Sequence, residues 1–310
     1  MNSRSLNLPA RTGLSPNVRA ALLCVVSCAF FAGANALAKL AGGLLPGPDL
    51  PPVQVTAARF LFAFLTLSPF LLRRGPAVFR TAVPVRHVQR ALLGVGGVTC
   101  VFTAVQTMPL GDVIAIAWAA PLFAMLFAAI FLGEYVGRAR WASAAVGFAG
   151  VLVLMRPTAA TFEPMALVAA LAAVLTGAEV ATMRVLATRD STLTVLAINN
   201  LIGAAVACAA AAFVFVTPSW PQAVALAGVG VVMVTGQAIF LRALAIAETS
   251  AVAPFYYATI AWAALIGVVA FGEPLGWPFV VGAGLIAGAG AFVAARGVPR
   301  RPVEPVTPLR

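Results

Sequence analysis

The sequence predicts an all-α polytopic membrane protein, with ten transmembrane helices arranged as two inverted five-helix repeats. Three observations carry that reading. Of the 310 residues, 62% are hydrophobic and 9% charged, with a mean hydropathy of +1.01, whereas soluble domains carry about 25% charged residues. Apolar runs long enough to cross a hydrocarbon layer about 30 Å thick recur along the whole length and leave no room for a soluble domain. Finally, the stretch from Thr107 to Glu134, TMPLGDVIAIAWAAPLFAMLFAAIFLGE, returns from Ala247 to Glu273 as AETSAVAPFYYATIAWAALIGVVAFGE, so that Gly133 and Gly272 stand 139 positions apart. A period of nearly half the chain marks a duplicated domain and not a solenoid.

Proline, glycine and charge punctuation divides the chain into its elements. Residues 1–18 form a polar tail containing Arg4, Pro9, Arg11 and Pro16. Spanning helices are expected at about 19–41, 53–72, 87–108, 112–132 and 139–156, then at about 163–187, 192–216, 221–244, 250–271 and 275–295. The first repeat covers residues 19–157 and the second 162–296. The apolar run after Arg19 ends in Ala-Gly-Ala-Asn-Ala like a signal peptide, but it exceeds the usual 7–15-residue core and reads as the first span. Residues 297–310 place Pro299, Pro302, Pro305 and Pro308 three apart, which predicts an extended, solvated tail.

Alternating the loops between the two membrane faces collects 17 of the 20 basic residues on one side, including Arg73, Arg74, Arg80, Arg86, Arg90, Arg138, Arg140, Arg184 and Arg189. The positive-inside rule then places both termini in the cytoplasm of an inner-membrane protein. Because five is odd, the second repeat enters the membrane upside down relative to the first. Gly33-Ala34-Asn35 aligns with Gly177-Ala178-Glu179, and Arg59 falls opposite Asn199.

The net charge of +11 is spread between apolar runs, so it marks no nucleic-acid surface. Cys24, Cys28, Cys100 and Cys208 lie inside apolar runs and behave as small hydrophobes. With His87 the only histidine, in a basic loop, no metal site and no cofactor motif is expected, and no Walker sequence supports an ATP-driven pump.

Candidate binding residues are the polar and aromatic groups inside spans. Lys39, Arg59 and Glu179 are intramembrane charges, each costing about 2.5–3.5 kcal/mol near the bilayer centre unless it faces a cavity or a partner. Lys39 either snorkels to the interface or joins Arg59 in binding an anionic group. Glu179 either pairs with Arg184 or serves the substrate, and it is the carboxylate placed to carry a coupling proton. Helical spacing sets Asn35 with Lys39, and Thr99 with Thr103 and Gln106, on single stripes. Asn199, Gln237, Trp118, Tyr256 and Tyr257 complete a central pocket with polar handles and aromatic walls. Pro121 breaks the fourth helix by freeing a carbonyl four residues earlier. Gly284 and Gly288 form a GxxxG read as close helix packing, and Glu134 and Glu273 end helices at opposite faces.

With their paired FLGE and FGE helix ends and Gly-rich closing helices, residues 19–296 resemble the EamA-type transporters of the drug/metabolite transporter superfamily. Asn35-Ala-Leu-Ala-Lys39, Arg59-Phe60, the run His87 to Arg90, and Arg140-Trp141 to Arg156-Pro157 are most similar to the S-adenosylmethionine uptake branch; related branches carry riboflavin or amino acids. The second half departs from it at Glu179 and the shorter FGE. The resemblance implies helices 1–4 and 6–9 around a substrate cavity, with helices 5 and 10 to one side. The expected activity is secondary transport of a small organic metabolite by alternating access, with the lipid bilayer as the other partner. The alternatives are a membrane-embedded enzyme, which needs a nucleophile–base or metal constellation, and a structural or signalling protein, which needs no central polar stripe.

Overall fold

In the computed structural model, which describes residues 15–105, 116–155, 164–271 and 277–295, every regular element is helical and no strand occurs among the described residues. The first repeat contributes α1 (Pro16–Lys39), α2 (Pro52–Arg74), α3 (Pro84–Val105), α4 (Ala120–Leu132) and α5 (Arg138–Met155). The second contributes α6 (Pro164–Arg189), α7 (Thr192–Ala211), α8 (Trp220–Ile246), α9 (Thr249–Tyr256), α10 (Ala258–Phe271) and α11 (Trp277–Ala295). A single π turn, Leu40–Leu44, extends α1, and a 3₁₀ turn, Pro76–Phe79, follows α2. Among the described residues six stretches are long and apolar enough to cross a membrane: Pro16–Gly42, Pro52–Arg74, Met165–Arg189, Thr192–Ala211, Trp220–Ile246 and Thr249–Ala270. Ala120–Leu132 and Val280–Ala289 are shorter apolar helices.

The helix ends follow local chemistry. Ser15 accepts from the amide of Val18 (3.4 Å) with Pro16 just inside the helix, and Ser191 accepts from Thr194 N (3.2 Å) to start α7. Gly133 closes α4 in the left-handed region (φ 65°, ψ 19°), which lets Glu134 N return to Ala128 O at 3.1 Å.

The main helix pairs join one repeat to the other. α1 packs on α8, α3 on α6, α2 on α7 and α5 on α11. Exchange each helix for its counterpart in the other repeat and the pattern maps onto itself: α1 on α8 becomes α6 on α3, and α1 on α10 becomes α6 on α4. These approaches are set by small residues. A Cβ on Gly230 would lie 2.6 Å from Ala63 N, one on Gly177 2.9 Å from Ala124 N, and one on Gly203 2.5 Å from the Phe60 ring. α5 and α11 meet each other where Gly150 faces the Gly282 carbonyl.

Both repeats carry a break at the same relative place. The chain turns at Trp118-Ala119, just before Pro121, and again at Tyr257, three residues after Pro254; Trp118 and Tyr257 are 139 apart, the period of the repeat. The uninterrupted helix expected over 250–271 is therefore two helices, because Pro254 cannot donate to the preceding turn. Carbonyls at the break find side-chain donors. The Tyr256 carbonyl accepts from Thr259 Oγ1 (2.9 Å) and Cys28 Sγ (3.6 Å), and the Val252 carbonyl from Cys24 Sγ (3.8 Å). Inside a membrane such partners are what make broken backbone tolerable.

Three expectations are corrected. A Cβ on Gly284 or Gly288 would meet nothing within 4 Å, so the GxxxG of α11 packs on no other helix among the described residues. His87 lies in α3 and is 1% exposed, because its ring is held by Asp190 and not left in a loop. Arg90 and Arg184 belong to helices and carboxylates, so they leave the set of loop charges. Gln106, Arg156 and Glu273 lie outside the described residues.

Gly230→Val is expected to lower stability by at least about 1–3 kcal/mol, since the neighbour that must yield is α2 backbone. Thermal unfolding in detergent should show this loss, with Gly284→Val unchanged beside it.

Candidate substrate site

The site is built at the seam between α3 and α6. On α3, Arg90, Gly94 and Gly97 recur at helical spacing on one face. Opposite them on α6 stand Glu179 and Thr176. Gly94 has no side chain, and the Glu179 carboxylate occupies the vacated space: a Cβ there would lie 3.2 Å from its Cδ. Gly97 likewise admits Thr176 Oγ1. Arg90, with no exposed side-chain surface, brings its Nε to 3.8 Å from Glu179 Oε1 and its Nη1 to 3.4 Å from the Val195 carbonyl at the start of α7. The expected Glu179–Arg184 pair does not form. Arg184 turns the other way, to Glu134 Oε1 (3.7 Å) and the Leu244 carbonyl.

A second guanidinium adjoins this pair. Arg59, on α2, lies within Coulombic range of Glu179, Arg90 and Tyr256, and its Cζ stands 4.7 Å above the Phe60 ring. Tyr256 ends α9 at the helix break and gathers the aromatic wall. Its ring lies 5.5 Å from Trp118, 5.9 Å from Phe31 and 5.4 Å from Phe240. Beside it, between Pro121, Val180, Phe240 and Val252, is an apolar cavity of about 10 Å³, room for a single water. In this conformation a metabolite reaches that space only if helices separate.

The remaining candidates scatter. Tyr257, fully buried, turns to Gly147 on α5 and packs with Ile260 and Ile286. Asn35 and Lys39 are exposed near the C-terminal end of α1. Asn199 is buried on α7, and Gln237 on α8 with its Oε1 unpartnered among the described residues. Thr99 is exposed and bonds back to Val95 O (2.8 Å), while the side chain of Thr103 and all of Gln106 lie outside the described residues. Sequence reasoning missed Arg90, which it grouped with loop arginines; the signal was its register with Gly94 and Gly97. Among the described residues no three His, Cys, Asp or Glu stand together to hold a metal ion.

Both ends of the bundle are tied across the repeats. At the end where α1 begins, called here the base, Asp190 Oδ2 accepts from Thr81 Oγ1 (2.6 Å) and meets His87 Nε2 at 2.7 Å. The Glu134 carboxylate caps α9 from outside, accepting from Thr249 N (3.0 Å) and Ser250 N (3.1 Å), where the helix dipole favours a negative charge. Arg140 completes the base by bonding Glu248 (2.6 Å) and Ser250. At the opposite end, the top, Gln54 exchanges two hydrogen bonds with Val216 (2.7 and 2.9 Å). Gln222 there donates to the Ala41 and Pro48 carbonyls (3.2 and 2.8 Å). Under the exchange of repeats, the α1–α2 to α7–α8 tie at the top becomes the α6–α7 to α2–α3 tie at the base.

Comparison with known proteins decides the family. Residues 18–156 and again 164–295 match the EamA-like transporter family. The chain belongs to that family. This EamA-like transporter is 33% identical over 248 residues to a riboflavin transporter of Rhizobium johnstonii, covering 78% of this chain and 81% of the relative. It is 31% identical over 265 residues to a pseudopaline exporter of Pseudomonas aeruginosa, covering 83% and 86%. An S-adenosylmethionine uptake transporter of Rickettsia bellii is 27% identical over 227 residues, 73% of this chain and 78% of the relative. A solved crystal structure 23% identical in sequence superposes over 89% of this chain and 98% of its own with a TM-score of 0.75, which speaks to the fold alone. The EamA-like transporter is thus a multi-pass membrane protein whose relatives carry small metabolites, with uptake and export both represented among them.

Glu134→Ala removes the cap of α9 and one partner of Arg184, and should lower stability by about 1–2 kcal/mol. Glu134→Gln, which retains an acceptor oxygen, should lose less in the same thermal unfolding series.

Proposed function

We propose that this chain is a secondary transporter that carries a small organic metabolite across the cytoplasmic membrane by alternating access. The observation that carries this is the polar cluster where the two repeats meet, Arg90 fully buried and Arg59, Glu179 and Tyr256 half-buried beside it, flanked by helix breaks. Charges placed at that depth face a substrate path or one another, and a binding site between repeats is the arrangement alternating access requires. On this reading ten helices cross the membrane, α9 and α10 together forming one span. The repeats are inverted, and the arginine-rich base faces the cytoplasm together with both termini. The exchange symmetry of helix packing supports the inversion. The base and top ties are then the two closures whose alternate opening exposes the site to each side. Glu179 is the carboxylate available to exchange a proton during the cycle.

The relatives' cargoes, riboflavin, pseudopaline and S-adenosylmethionine, define the panel for the decisive test. Purified protein in proteoliposomes should show saturable counterflow of at least one of these or of an amino acid, and Glu179→Gln should flatten its response to a pH gradient. Counterflow of none would leave the fold standing and the cargo to be sought elsewhere.

Thr81 and Asp190 touch across the repeats at the base. A Thr81→Cys/Asp190→Cys pair, oxidised, should hold that end shut and abolish transport, and reductant should restore it. Full activity of the cross-linked protein would show that the base does not open.

A further inference from the structure

The charges of the central cluster do not balance. Two guanidinium groups, Arg59 and Arg90, lie within Coulombic range of one carboxylate, Glu179, and Arg90 is the one paired with it. Among the described residues Arg59 makes no ion pair. Three guanidinium nitrogens, Arg59 Nε, Arg90 Nε and Arg90 Nη2, are buried without a hydrogen-bond acceptor. In an apolar solvent such unmet donors are costly, and a surplus cation more so. A stable protein keeps them when something else supplies the acceptors.

We propose that Arg59, with Arg90 behind it, forms a subsite for the carboxylate of a monoanionic metabolite whose apolar or aromatic body lies against Tyr256, Phe31, Phe240 and Trp118. The inference rests on the transport reading above and names its substrate class. One negative charge cancels the surplus, a dianionic phosphate ester overshoots it, and a net cation worsens it. A planar guanidinium meets a carboxylate edge to edge with two parallel donors, a geometry that an uncharged amide reproduces only in part. The wall of rings adjoins the charge because Tyr256 belongs to both. Its ring touches the other three aromatics, and it lies within Coulombic range of Arg59 and Glu179.

Thermal unfolding of the purified chain in detergent, titrated with phenylacetate and indole-3-acetate against their amides, with phenyl phosphate and phenethylammonium alongside, tests this directly. The acids should stabilise the protein at concentrations at least about tenfold lower than the amides, about the discrimination expected when a charged hydrogen-bonded group is lost. Phenyl phosphate should be weaker than the acids, and phenethylammonium without effect. Arg59→Gln should erase the acid preference and, without ligand, unfold at a higher temperature than the parent because the surplus charge is gone. Arg59→Lys should keep part of the preference. Amides equal to acids, no acid preferred at all, or a ligand-free Arg59→Gln that unfolds earlier than the parent would each overturn the proposal. Counterflow separates the two readings: cargo that still moves without any acid preference sinks only the carboxylate subsite. An acid preference with no cargo moved by counterflow, the preferred acids included, sinks transport instead.

Discussion

A carboxylate held between helices in hydrocarbon must be matched within a few ångströms, and the Glu179–Arg90 contact is where this molecule meets that demand. Its consequences spread outward. Glu179 can approach Arg90 only because position 94 lacks a side chain, and Gly97 one turn on keeps the two helices close along the seam. Those helices belong to different repeats, so the same contact fixes how the halves interlock. Breaking a buried pair by deleting one member typically costs about 3–5 kcal/mol, so deleting either member here should weaken the seam.

Packing and charge obey different symmetries here. Helix pairs map onto themselves when the repeats are exchanged, and the backbone breaks fall at equivalent places, Trp118 and Tyr257. The charges do not follow. Asn35 aligns with Glu179 yet is exposed, and the α8 position matching Arg90 at the repeat offset is Val229. Duplication supplied a scaffold whose helix pairs are interchangeable between repeats, and substitution on one side of it made a polar centre that is singular.

Much of the architecture was legible in the sequence because bilayer thickness sets helix length, and because proline, glycine and serine mark helix ends. Part of the site was legible as well. Arg59, Glu179, Trp118 and Tyr256 stand out as polar or aromatic groups inside apolar runs, and the structure brings them together. Partners were harder. Arg90 sits one and a half turns inside α3, near enough to a cluster of arginines to look like one of them, and only a fold can show that it points at a residue 89 positions away. Arg184 lies five residues from Glu179 on the same helix and looked like its natural mate, but local spacing carries no information on the direction an arginine takes when Glu134 competes for it. The break at Tyr257 was not expected: Pro254 is the fifth residue of the span expected over 250–271, just past the first turn where proline is harmless, and its missing donor interrupts the helix.

The two end ties are geometric counterparts built from different chemistry. The top is closed by the side-chain amides of Gln54 and Gln222 bonding to backbone, the base by His87, Asp190, Arg140, Glu248, Glu134 and Arg184. Amide bonds carry no net charge and are indifferent to ionic strength. An ion pair whose acid is 41% exposed, as Glu248 is, weakens as salt shortens the screening length. The two ties therefore differ in how salt reaches them. Among the ties described, ionic strength acts most directly on the Arg140–Glu248 pair at the base, so a scaffold that is nearly symmetrical in shape has a built-in polarity toward its surroundings.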